Sequence, residues 1–208
     1  MPQQLPNYQN APNIAFLISG RGSNMMAILR KVYQKNLKIN VKLVFSDKKL
    51  ADGLSKAKTA GIKTLSFSPK EFNNITEYET YLLKHLKSLE IDYIVCAGYM
   101  RILKNTILNA YANKIFNVHP SILPSFPGLK AQKQALDYGV KFSGCTIHKI
   151  DAGMDTGPII AQRIVKIDKN ETEGSLSLKI LKEEHDLYWQ ALNQEIFGKK
   201  ITKRKLWQ

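Results

Sequence analysis

The stretch that decides the fold is IAFLISGRGSNMMAILRKVYQ, residues 14–34. Residues 14–19 are apolar without alternation, the mark of a strand buried on both faces. Gly20 and Gly22 then permit a tight turn. Residues 24–34 return to helical spacing, with Met25, Ile28, Leu29 and Val32 on one stripe. A buried strand that runs through a glycine turn into an amphipathic helix is the opening unit of a parallel sheet covered by helices.

The same alternation continues along the chain. Apolar runs at 41–46, 63–67, 93–98 and 114–119 read as strands, separated by helical patterns at 52–61 and 75–90. The latter carries Tyr78, Leu82, Leu86 and Leu89 on its inner face. After residue 130 the order changes. A short helix over 130–138 leads into two closely spaced runs, 143–150 and 157–167, which should pair antiparallel, and then into a last helix over 172–197. The expected fold is α/β: a doubly wound, mostly parallel sheet with antiparallel strands at its C-terminal edge. It should form one domain over residues 13–197, with a disordered lead-in at 1–12 and a basic tail at 198–208.

Composition narrows the function classes. The 208 residues are 44% hydrophobic and 23% charged, ordinary values for a soluble globular protein. The lack of a long apolar run or an apolar signal core predicts a cytoplasmic protein with no membrane partner. The two cysteines, Cys96 and Cys145, lie inside strand-like runs and have no metal-ligand spacing, so they read as buried thiols and no metal is expected. The net charge of +14 fits an anionic substrate, a polyanion partner or a solvated basic surface. The lysines are spread along the chain, densest at 199–205, without interleaved aromatics, so no nucleic-acid partner is expected.

Ligands in such sheets bind beyond the carboxyl ends of the strands, and the polar residues gather there. In SGRGSN (19–24), backbone N–H groups and a helix N-terminus offer an anion site, with Ser23 or Asn24 as helix cap. Met25 stands where a dinucleotide fingerprint needs a third glycine, so a single phosphate fits better. The alternative is a plain glycine turn. In AGYMRILK (97–104), Met100, Arg101, Ile102 and Leu103 either line a pocket for a flat ligand or begin a helix packed on the core. In NVHPSILPSFPG (117–128), Asn117 and His119 share one face of a strand end, and Pro120, Pro124 and Pro127 stiffen the loop beyond it. That placement suggests catalysis as much as packing. In HKIDAGMDTGP (148–158), Asp155 is set to face His119, while Asp151 reads as a turn aspartate. Glu184 interrupts the apolar face of the last helix and needs a partner or a cleft edge. His85 and His148 read as structural.

In their order and spacing, SGRGSN, AGYMRIL, NVHPSILPSFPG and MDTGPII resemble the phosphoribosylglycinamide formyltransferases of purine biosynthesis, over about residues 13–197. The resemblance implies an enzyme that moves the formyl group of 10-formyltetrahydrofolate to the amine of glycinamide ribonucleotide, as monomer or homodimer. It implies catalytic roles for Asn117, His119 and Asp155, with Asp155 keeping His119 protonated near neutral pH. It also implies a phosphate loop at Gly22, Ser23 and Asn24, ribose binding by Glu184, and folate binding by Met100 to Leu103 with Asn117. One departure is Ile75, where the family often has a folate-contacting arginine; Lys70 is a nearby substitute. Methionyl-tRNA formyltransferases resemble a longer chain with a β-barrel after this domain, and formyltetrahydrofolate hydrolases one with a regulatory domain before it. Neither addition is expected here. A nucleic-acid binder and a Rossmann-type oxidoreductase are the remaining readings from other classes.

Overall fold

The computed structural model describes residues 5–201. Seven strands form one sheet: β1 (Asn13–Ile18), β2 (Asn40–Ser46), β3 (Thr64–Ser66), β4 (Tyr93–Cys96), β5 (Ile115–His119), β6 (Phe142–Lys149) and β7 (Ile159–Lys166). Their order across the sheet is β3-β2-β1-β4-β5-β6-β7. The first five are parallel, and β6 and β7 join antiparallel at the edge. Six α-helices accompany them: α1 (Ser23–Tyr33), α2 (Asp52–Thr59), α3 (Ile75–Ser88), α4 (Asn105–Ala110), α5 (Ala131–Tyr138) and α6 (Glu173–Phe197). The expected architecture is present. The short α4 comes just after the stretch that the sequence left open between pocket and helix start. Among the described residues, no helix is long and apolar enough to cross a membrane.

Strand periodicity divides the core. Ile14, Phe16 and Ile18 pack with Met25, Ile28, Leu29 and Val32 of α1 and with Ile180, Leu187 and Tyr188 of α6. Ala15 and Leu17 face the other way, against Tyr78, Leu82 and Leu86 of α3 and Ile107 of α4. A strand buried on both sides must be apolar at every position, which is why residues 14–18 show no alternation.

The chain winds from β1 to β2 and β3 on one side, then returns to β4 and β5 on the other. A crevice opens where the winding reverses, at the carboxyl ends of β1 and β4. Ser19 N–H donates to Gly98 O across it at 2.9 Å. The Ser19 hydroxyl donates to Asp47 Oδ1 at 2.6 Å and accepts from Met100 N–H at 2.9 Å. The segments after β1, β2 and β4 are therefore tied through one buried hydroxyl.

The lead-in requires a correction. Residues 5–12 are docked, not disordered: Leu5 and Tyr8 pack on the core, Tyr8 OH donates to Val32 O, and Asn40 Nδ2 donates to the carbonyls of Tyr8 and Ala11. An aromatic ring with a satisfied hydroxyl gains from that burial. Residues 1–4, and 202–208 of the basic tail, lie outside the described residues.

Candidate active site

In the β5–β6 pair, Asn117 lies opposite His148, and His119 opposite Thr146. Directly opposed residues of an antiparallel pair project to the same face. Phe116, Val118, Cys145 and Ile147 point instead into the core beneath α1 and α6. The loop between β6 and β7 folds over the polar face and brings Asp155 onto it. Asp155 Oδ2 lies 3.2 Å from His119 Nδ1, and its Oδ1 lies 3.6 Å from His148 Nε2. Asp155 Oδ2 also accepts from Gly128 N–H at 2.8 Å. Its backbone is left-handed, with φ 58°, a conformation uncommon outside glycine and here held by these contacts.

The ring nitrogens can be assigned from their partners. A carbonyl only accepts, so His119 Nε2 donates to Phe126 O at 2.8 Å and His148 Nδ1 donates to Lys149 O at 2.9 Å. Asn117 Nδ2 then donates to His148 Nε2 at 3.1 Å. His148 is 2% exposed and belongs to this cluster, which corrects its reading as a structural histidine. Its pairing with Asn117 depends on strand register, which its own neighbours in sequence do not reveal.

Two opposing effects act on the His119 ring. Burial lowers the His119 pKa from its usual value, and it outweighs the upward pull of the Phe126 carbonyl and of Asp155; the His148 ring adds to the lowering. Against that lowering, both ring nitrogens face acceptors, Nε2 the Phe126 carbonyl and Nδ1 the Asp155 carboxylate. For Asp155, burial alone would raise the carboxyl pKa. The His148 ring, the Gly128 N–H and the charge of His119 outweigh it, and the carboxyl stays below its usual range.

The proline-rich loop is tied down from β6 and β7. Thr146 Oγ1 donates to Ser121 O at 2.7 Å and accepts from Leu123 N–H at 3.0 Å. Gln162 Nε2 donates to Leu123 O at 2.8 Å. Gln134 Nε2 donates to Pro127 O at 3.2 Å and Leu129 O at 2.9 Å. None of these side chains stood out in the sequence. Asp151 accepts from Gly153 N–H and Thr156 Oγ1, a turn aspartate as expected.

At the carboxyl end of β1, Gly22 is left-handed (φ 66°, ψ 31°) and is itself the residue before α1. Neither Ser23 nor Asn24 caps the helix, contrary to expectation: both are already inside it, and no side-chain cap bond forms. Asn24 instead donates through Nδ2 to Glu184 Oε2 at 2.7 Å. Glu184 is 7% exposed, and burial pushes its carboxyl pKa up while the Asn24 bond draws it down. Asn24 Oδ1 is buried with no protein partner. The Asn24 amide beside the Gly22 turn thus keeps an acceptor that no protein group in the structure uses.

At the end of β4, Met100 is 63% exposed and Ile102 51%, with Arg101 exposed between them. This apolar surface suits a flat ligand. Leu103 does not share it: its side chain is buried in the core beside Ile107, correcting its placement as a pocket-lining residue. Ile75 begins α3, and Lys70 is exposed in the 3-10 turn Pro69–Glu71 just ahead of it. Both cysteines are free and buried; burial pushes the Cys96 thiol up to about 12, which leaves it unreactive. A cavity of about 320 Å³ sits between α2 and β3 and is lined by Lys49, Leu54, Lys58 and Ser66.

Residues 12–192 match the family model described as formyl transferase. The chain is 40% identical over 180 residues to the phosphoribosylglycinamide formyltransferase of Bacillus subtilis, covering 86% of this chain and 92% of that protein. It is also 40% identical over 192 residues to the trifunctional purine biosynthetic protein adenosine-3 of Drosophila melanogaster, covering 91% of this chain but only 14% of that longer one. The crystal structure of glycinamide ribonucleotide transformylase 1 from Symbiobacterium toebii superimposes with a TM-score of 0.89 at 38% identity, over 97% of this chain and 95% of that one. The chain belongs to the formyl transferase family, among its phosphoribosylglycinamide formyltransferases.

Proposed function

We propose that the protein transfers the formyl group of 10-formyltetrahydrofolate to the amine of glycinamide ribonucleotide, with Asn117, His119 and Asp155 as its catalytic residues. The observation that carries this reading is the shared polar face of β5 and β6, where Asn117 lies 3.1 Å from His148 and the Asp155 carboxylate 3.2 Å from His119 and 3.6 Å from His148. The loop at Gly22, Ser23 and Asn24 takes the phosphate, and Glu184 takes the ribose hydroxyls. Support for the ribose role comes from the buried Glu184 carboxylate and the unpartnered Asn24 Oδ1, both of which gain from hydroxyl donors. Met100 and Ile102 give the folate ring an apolar surface, with Arg101 beside them and Asn117 at the formyl end.

The amine nitrogen attacks the formyl carbon, a C–N bond forms, and the carbonyl becomes a tetrahedral oxyanion. Asn117 spends one N–H on His148 and has a second to offer the oxyanion. Such a donor is typically worth about 10²–10³ in rate. Collapse breaks the bond between the formyl carbon and the folate nitrogen. The attacking amine loses one proton and the folate nitrogen gains one. His119, directly or through water, can carry a proton between the two sites. Asp155 stabilises the imidazolium in between. Both His119 nitrogens are engaged within the protein, so one contact must open as the proton moves.

The test is formyl transfer from 10-formyltetrahydrofolate to glycinamide ribonucleotide, with methionyl-tRNA as parallel acceptor. Transfer to the ribonucleotide alone is expected; transfer to the tRNA alone would overturn the assignment.

A further inference from the structure

We propose that Gly53 and Lys56 of α2 are positioning residues for the ribonucleotide phosphate, an inference that rests on the phosphate-loop reading of residues 20–24. Neither residue belongs to that loop. The first turn of α2 packs directly on its back. Gly53 N–H donates to Gly20 O at 3.0 Å, and Lys56 Nζ donates to Arg21 O at 2.7 Å. The approach requires a glycine. A Cβ on Gly53 would run into the Ile18 side chain and lie 3.0 Å from Gly20 O and 3.3 Å from Gly22 Cα. A Cβ on Gly22 would in turn lie 3.0 Å from Gly53 Cα.

Peptide geometry carries these anchors through to the N–H groups. A trans peptide points its carbonyl and its N–H in opposite directions. The Gly20 carbonyl shares a peptide with the Arg21 N–H, and the Arg21 carbonyl shares one with the Gly22 N–H. Anchoring both carbonyls on α2 therefore turns both N–H groups away from α2. With Gly22 in the left-handed region, successive N–H groups of this kind form a concave anion site. Holding them in place in advance removes an ordering cost from binding. The Lys56 ammonium also puts a positive charge directly behind the loop, where it attracts a phosphate dianion without touching it.

The test is steady-state kinetics on the wild type, Gly53→Ala, Lys56→Met and Lys56→Arg. Each substrate is varied in turn, and inorganic phosphate serves as a competitor of the ribonucleotide. KM for the ribonucleotide and the phosphate inhibition constant should rise together, about 3- to 10-fold in Lys56→Met, the scale of one charge-assisted hydrogen bond. The rise should reach about 10- to 100-fold in Gly53→Ala, where the loop itself must shift. KM for folate should change less than about twofold in Lys56→Met, and Lys56→Arg should recover most of the loss. If Gly53→Ala does not fold, the lysine variants decide the matter. An unmoved ribonucleotide KM in Lys56→Met, or an equal loss toward both substrates, would overturn the proposal. A wild type that does not formylate the ribonucleotide would defeat the underlying reading instead.

Discussion

Asn117 and His148 face each other across the β5–β6 pair, with 3.1 Å between Nδ2 and Nε2. Because His148 Nδ1 donates to Lys149 O, Nε2 is left to accept from Asn117, and it fixes which way the Asn117 amide points. His148→Ala frees that amide to rotate. Turnover should fall by about 10- to 100-fold, below the full loss of an oxyanion donor, with smaller changes in KM. Wild-type turnover in this variant would show that something else holds Asn117.

His119 is the proposed proton carrier. One of its ring nitrogens lies on the Phe126 carbonyl, and the other sits 3.2 Å from the Asp155 carboxylate. His119→Ala should lower kcat by about 10²–10⁴, the usual scale for general acid–base catalysis. Near-normal turnover would remove it from the mechanism.

The direction of the His119 shift sets the pH dependence. With its folded pKa below the ordinary imidazole value of about 6.5, the acid limb of kcat/KM should lie below that pH. Asp155 pulls the imidazole upward, so Asp155→Asn should move the limb further down while also lowering turnover. An upward shift or an unchanged profile would refute the coupling. Stability has a matching sign. The unfolded imidazole binds protons more tightly, so its contribution is present above about 6.5 and is lost as the pH falls toward the folded value. Denaturant melts across that window, compared with His119→Asn, measure it.

Glu184 carries a conflict between stability and its proposed role in ribose binding. Burial raises its pKa, so the folded state holds the proton more tightly than the unfolded chain. Stability therefore declines as pH rises from the unfolded value through the folded one. Glu184→Gln removes that decline and should raise the melting temperature at neutral pH by about 2–4 °C, the response to roughly 1 kcal/mol in a domain of this size. The same change should raise KM for the ribonucleotide more than KM for folate. The reverse selectivity would put Glu184 in the other subsite.

Thr146 holds the proline-rich loop from beneath. Thr146→Val keeps the shape but leaves Leu123 N–H and Ser121 O without their partner. The loss should be about 1–3 kcal/mol by thermal or urea unfolding. A variant as stable as the wild type would mean that the loop is held by its own prolines.

Much of the fold and of the site was legible along the chain. Strands buried on both faces leave uninterrupted apolar runs, and packed helices leave 3.6-residue stripes, so the winding order could be read locally from residues 14–34 onward. His119 precedes Pro120, Asn117 shares its strand end, Asp155 lies between Gly153 and Gly157, and the stretches around them match the family's spacing. The interruption of an apolar stripe was enough to mark Glu184.

Element order, fold class and family could thus be read from the linear chain, but which polar groups meet could not. His148 joins the cluster because strand register sets it opposite Asn117, 31 residues away. Asn24 reaches Glu184 across 160 residues because α1 and α6 share one face of the sheet. The drop in the His119 pKa comes from burial by segments distant in sequence, which pairing His119 with Asp155 does not foretell. Periodicity is a local property of the backbone and survives in a linear string; hydrogen bonding and desolvation depend on distances that exist only once the chain has folded.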